Sequence, residues 1–328
     1  MAYSKQIIHR AQLRLQEEAR QHDAQCAARR SEIFARQPRL EQIEKALRQT
    51  AARIMAETFR EGVDPKAAME KLREENLSLQ EERAWLLESN ELDPADLLAE
   101  PICTKCGARG YVGAVMCDCL RELCRQEQKK ELSQKLGGKD NFEDFRVELY
   151  PDGFLQSAGV SPRELMRVVK ADAMHYARHF SPDSPSVLML GAPGLGKTLL
   201  AGCIAKAVAD KGFSVCFETA GTVFADFETA KYVLRGEEAE ALTAPYFDCE
   251  LLVLDELGTE LSSPLATAAL YRLISQRMNA HRPTVVTTNL STDELSKRYG
   301  ASSASRLLGS FLQFNFLGND VRMLQREG

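Results

Sequence analysis

The feature that most constrains this chain is the octapeptide Gly191-Ala192-Pro193-Gly194-Leu195-Gly196-Lys197-Thr198, set between the apolar run SVLML and the helix-forming segment LLAGCIAKAVA. This is G-x-x-x-x-G-K-[ST] between a strand and a helix, where the glycines let the loop curl until its backbone N–H groups face phosphate oxygens. The positive end of the following helix adds to that field. In such a loop Lys197 reaches the β- and γ-phosphates and Thr198 offers its hydroxyl to Mg²⁺.

From about residue 153 the pattern supports the same architecture. Short apolar strands are expected at Val187–Leu190, Ser214–Phe217, Leu251–Leu254, Thr284–Thr288 and Phe311–Phe316, with helices between them. Ser161-Pro162-Arg163-Glu164 reads as a capping box opening a helix. Strands alternating with helices predict an α/β fold, a parallel sheet covered on both faces. The strand in CELLVLDELG delivers Asp255 and Glu256 at its C-terminal end, the edge where α/β sites form. Asp255 is placed to hold the Mg²⁺ shell and Glu256 to orient and polarise a water. RPTVVTTNL ends in Asn289, which on residues alone is either a turn former or a neutral ligand for the same water. Arg306 and Arg322, read alone, are ordinary surface arginines.

Before this region the chain is different. Residues 1–60 carry 12 basic and 7 acidic side chains, whereas residues 61–100 carry 4 and 12. Both stretches are rich in good helix formers. Leu40, Ile43, Leu47 and Ile54 share a helical face, and Leu72, Leu79 and Leu86 recur every seven residues. Asp64-Pro65 and Asp93-Pro94 read as helix starts. Residues 1–98 are therefore expected to form amphipathic helices, packed on themselves or offering a face to a partner. Next come Cys103-x₂-Cys106 and Cys117-x-Cys119, separated by ten residues. Four thiols at this spacing suit one tetrahedral Zn²⁺, with Cys124 as an alternative ligand. The N-terminus has no secretory apolar stretch, and no run approaches the ~20 residues that span a bilayer. Nine cysteines then argue for a reducing, cytoplasmic setting rather than disulfides. Lys+Arg 42 against Asp+Glu 47 disfavours bulk electrostatic binding of nucleic acid, though not a local basic groove.

GAPGLGKT, LLVLDELGTE, VVTTNLSTDELSKRYG, SRL and GNDVR, in that order, resemble the ATPase domain of the DnaC/DnaI-type replicative helicase loaders, a branch of the AAA+ class. The likeness covers about 150–328, and CTKCGARGYVGAVMCDC resembles the zinc module that precedes it in DnaI-like loaders. The resemblance implies a helical partner-binding region at 1–98, a zinc module at 99–125, a linker at 126–152 and an AAA+ ATPase domain at 153–328. It further implies ATP hydrolysis, Asn289 as sensor 1, Arg322 as the sensor-2 arginine and Arg306 as a finger reaching a neighbouring subunit's ATP. The partners implied are the replicative helicase, further copies of the chain, and single-stranded DNA in a channel that the helix Ala220–Tyr232, with Lys231, lines in an assembled ring or spiral. Asp-Glu replaces the Asp-Asp that these loaders often carry, and both supply two carboxylates. Two other readings remain: the ATPase helper of a transposition system, which usually lacks a zinc module, and a nucleotide-gated binding switch with little turnover.

Overall fold

The computed structural model describes residues 3–58, 65–98, 100–138, 141–154 and 159–321. The chain divides into two compact units, Leu13–Cys119 and a second formed by Met1–Gln12 with Leu120–Gly328.

The first unit is built from α1 (Lys5–Arg36, from residue 13 onward), α2 (Pro38–Thr58) and α3 (Pro65–Ser89). α2 and α3 run antiparallel, with opposed charges paired across them. Arg39 grips Glu82 through two bonds of 2.7 Å, Arg83 meets Glu44 at 2.6 Å, and Arg53 meets Glu75 at 2.9 Å. Leu40, Ile43 and Leu72 of the expected stripes are buried. At the end of α3, Leu87 is buried with Ile33, Leu40 and Leu97, and the partly buried Leu86 of the expected repeat packs against the same cluster. The Asp64 start and the Ile54 side chain lie outside the described residues. Asp93 does cap a 3₁₀ turn (Pro94–Leu97), its Oδ1 accepting from Ala95 N–H at 2.9 Å. A two-stranded antiparallel hairpin, β1 (Tyr111–Val112) and β2 (Val115–Met116), closes this unit.

In the second unit, α4 (Asp118–Lys135, from residue 120) precedes α5 (Pro162–His179), β3 (Val187–Leu190), α6 (Lys197–Asp210), β4 (Val215–Thr219), α7 (Ala220–Tyr232) and α8 (Glu237–Asp248). There follow β5 (Leu251–Leu257), α9 (Pro264–Asn279), β6 (Thr284–Thr288), α10 (Thr292–Ser310) and β7 (Leu312–Asn315). The five strands β3 to β7 form one parallel sheet in the order β4-β5-β6-β3-β7. One apolar cluster includes Met166, Val169, Leu200 and Ile204, and the other Val223, Phe224, Leu270 and Leu307. Every residue from Leu251 to Asp255 is buried, as a strand covered on both faces requires. Ser161 starts α5 as expected, accepting from Glu164 N–H at 3.2 Å.

The described residues of 126–152, expected as a linker, instead contribute to this unit's packing. Leu132, Phe145 and Tyr150 are buried in the core. Along the edge strand, the Gln128 amide imitates a neighbouring strand: Nε2 donates to Phe213 O and Oε1 accepts from Val215 N–H, each at 2.9 Å. Lys135 Nζ donates to Phe217 O at 3.2 Å. An edge strand left bare would template unwanted pairing, and α4 satisfies it with polar side chains.

Candidate nucleotide site and cysteine centre

At the C-terminal edge of the sheet, the loop after β3 meets the ends of β5 and β6. Residues Pro193, Gly194, Gly196, Lys197, Thr198, Asp255, Glu256, Thr287 and Asn289 line a single cavity of about 1040 Å³. The sequence's three informative strand ends thus converge on one cleft.

The loop is held from behind. Tyr150 donates its hydroxyl to Leu195 O at 2.8 Å. Gly196 adopts φ +80, and a Cβ there would meet the Phe145 ring at 2.9 Å, so glycine is required both by conformation and by space. Val321 N–H donates to Gly194 O at 3.1 Å, pinning the opposite side. Lys197 stands at the start of α6 with its ammonium on the carbonyls of Gly191 and Ala192, both at 2.7 Å.

Asp255 is only 3% exposed. Its Oδ1 accepts from Thr198 Oγ1 at 3.0 Å and from Thr287 Oγ1 at 2.6 Å. Burial pushes its carboxyl pKa up, against the downward pull of the two hydroxyls. A hydroxyl and a carboxylate in contact, at the end of a phosphate-type loop, form the oxygen donor set that Mg²⁺ prefers. Glu256 faces solvent in the cleft, with its backbone at φ +56. A non-glycine residue held there stores strain of about 1–3 kcal/mol, which surrounding bonds must maintain. Glu256 N–H donates to Thr287 Oγ1 at 2.9 Å, and the β5–β6 register shifts between Leu254 and Leu257. Thr287 therefore bridges both carboxylate residues. The sequence reading missed it, although it lies two residues before Asn289 on the same strand. It also missed Glu143, Asp144 and Arg146, which line the cleft from the misread linker.

Arg306 is not among the cleft's lining residues. It stacks on Tyr271, 4.5 Å from the ring centroid, and donates to the Tyr271 hydroxyl at 3.0 Å and to Ser302 O at 3.1 Å. Arg322 lies outside the described residues.

In the first unit, the ligand atoms of Cys103, Cys106, Cys117 and Cys119 all lie within 4.8 Å of one another. Cys103 Sγ is 3.8 Å from Cys117 Sγ, and Cys106 Sγ is 3.4 Å from Cys119 Sγ. Zn–S bonds of about 2.3 Å in a tetrahedron put sulfurs about 3.8 Å apart, so the four thiols fit a zinc ion. Gly110 N–H donates to Cys106 Sγ at 3.3 Å, support that a thiolate ligand receives in such a knuckle. Cys124 is buried but is not one of the group. Among the described residues, no helix is long and apolar enough to cross a membrane.

Residues 156–311 match the family described as IstB-like ATP binding protein. The replicative helicase loader DnaC of Escherichia coli (strain K12) is 28% identical over 151 residues, 46% of this chain and 61% of that protein. The match thus spans less than two thirds of that relative's length. The ATP-binding protein of insertion sequence IS5376 from Geobacillus stearothermophilus is 27% identical over 146 residues, 43% of this chain and 57% of that protein. A crystal structure of the DnaC helicase loader aligns with a TM-score of 0.43 at 20% identity, covering 54% of this chain and 98% of that one.

Proposed function

We propose that this chain, whose residues 156–311 match the family described as IstB-like ATP binding protein, is an AAA+ ATPase that hydrolyses ATP in order to place a replicative DNA helicase on DNA. The observation that carries this reading is the convergence of Lys197, Thr198, Asp255, Glu256 and Asn289 on one cleft. The loop's backbone N–H groups and Lys197 bind the phosphates of ATP. Thr198 and Asp255 hold Mg²⁺, which neutralises charge on the β- and γ-phosphate oxygens when bound. Glu256 takes a proton from the attacking water, and Asn289 fixes that water or the γ-phosphate by a neutral hydrogen bond. Thr287 holds the Asp255 carboxylate and the Glu256 backbone in place.

Arg306 acts as a finger on the ATP of a neighbouring copy, which agrees with its position away from its own cleft. Arg322 acts as the sensor-2 arginine. The four-cysteine centre holds Zn²⁺ and, with helices α1 to α3, engages the helicase. Contact with single-stranded DNA is weak, salt-sensitive and ATP-dependent, since the Lys231 segment also carries Asp226 and Glu228.

The match to an insertion-sequence ATP-binding protein supports a second reading, an ATPase that serves a transposase. Affinity capture with the full-length chain and ATP separates the two. Recovery of a replicative helicase supports loading, and recovery of a transposase instead would replace it.

A further inference from the structure

The loop that follows Glu256 is not free to move independently of the rest of the domain. Thr259 donates to Glu256 O twice, from N–H at 3.2 Å and from Oγ1 at 3.0 Å. One residue on, Glu260 folds back. Its side chain is only 6% exposed, and its Oε2 accepts from Gly258 N–H at 2.9 Å. Its other oxygen accepts from the Tyr299 hydroxyl and meets Arg298 Nη2 at 3.4 Å, while Arg298 also donates to Glu260 O. Thr267 on α9 donates to Arg298 O at 3.4 Å and closes the cluster.

Arg298 and Tyr299 end the first half of α10. Immediately after them Gly300 takes φ +79 and ψ 157, a break in an otherwise continuous helix. The second half of α10 carries Arg306. One carboxylate therefore touches the loop bearing Glu256 and the last turn before the break, beyond which Arg306 stands. Burying an ion pair is weak evidence for stability, because desolvation offsets the attraction. An apolar side chain could fix a static loop as well. What a buried carboxylate with several directional donors adds is a defined geometry that two elements must share.

We infer that Glu260 is a positioning residue that couples the Glu256 loop to α10, so that ATP in a chain's own cleft resets the Arg306 surface offered to a neighbour. This rests on the proposed roles of Glu256 and Arg306. It adds a route, within one chain, between the site that hydrolyses and the site that assists.

Amide hydrogen exchange over residues 292–310 tests the coupling without requiring turnover. The full-length protein is compared with and without Mg²⁺ and an ATP analogue that cannot be hydrolysed. In the wild type, nucleotide should slow exchange in 301–310 about fivefold or more. Glu260→Ala should bind the analogue as tightly yet lose that change, and Glu260→Gln, which keeps an acceptor oxygen, should recover part of it. Tyr299→Phe removes one hydroxyl without unpacking the ring, so it reports even if Glu260→Ala fails to fold, and it should weaken the change in the same sense. An identical nucleotide-linked change in wild type, Glu260→Ala and Tyr299→Phe would overturn the inference, as would its absence from the wild type. Failure of the hydrolysis reading looks different: 301–310 becomes protected, but no phosphate is released from ATP.

Discussion

Asp255 shows how a single residue can lower stability for the sake of a site. Its folded-state pKa is raised by burial, so the folded chain holds this proton more tightly than the unfolded chain does. The destabilisation is therefore present above the folded pKa and fades as pH falls through it. Asp255→Asn should stabilise the nucleotide-free protein at pH 7, read as a higher Tm. That gain should shrink toward about pH 4, and thermal melts at both pH values check it. Two neighbours separate binding from chemistry. Lys197→Ala should abolish ATP binding, whereas Glu256→Gln should bind ATP but turn over about 10²–10⁴-fold more slowly. Equilibrium binding and phosphate release on the same preparations read both effects, and a Glu256→Gln protein with wild-type turnover would remove Glu256 from its role.

Among the elements, the strands that end at the cleft were legible because buried parallel strands are short, continuous apolar runs. Thr284–Thr288 and Val187–Leu190 fall where expected, and Phe311–Phe316 contracts by one residue at each end. The linker error at 126–152 has a physical cause. RQEQKKELSQK buries little apolar surface, and α4 instead satisfies an exposed strand edge with Gln128 and Lys135. No hydrophobic period reports a glutamine whose partners are backbone groups 85 and 87 residues away. Gln128→Ala strands Phe213 O and Val215 N–H, and should cost about 2 kcal/mol, read as a lower urea midpoint with unchanged slope. The cysteine hairpin was legible for the opposite reason, since ligand spacing is local. It has hardly any core, so about one Zn²⁺ per chain should be found by metal analysis. Cys103→Ser with Cys117→Ser should lose the metal and the order of the module while ATP binding persists. Full zinc occupancy in that double variant would refute the ligand set.

On the scale of the whole molecule, the cleft gathers the groups proposed to bind phosphate, hold Mg²⁺ and orient water, whereas Arg306, the proposed finger, is not among its lining residues and lies on Tyr271. A guanidinium is permanently charged and forks onto phosphate oxygens, so it suits charge that builds on the transferring phosphoryl group. In P-loop enzymes such a finger is worth about 10³–10⁵ in rate, or about 4–7 kcal/mol. Sequence could supply this role for Arg306 only through family resemblance, because a residue that works on another copy leaves no local pattern. Turnover per chain should accordingly rise with protein concentration. The most direct measurement mixes Arg306→Ala with Lys197→Ala, each nearly inactive alone, and follows phosphate release. An interface that joins the intact phosphate loop of one chain to the intact Arg306 of the other should restore activity. No recovery in demonstrably mixed assemblies would contradict hydrolysis shared between subunits.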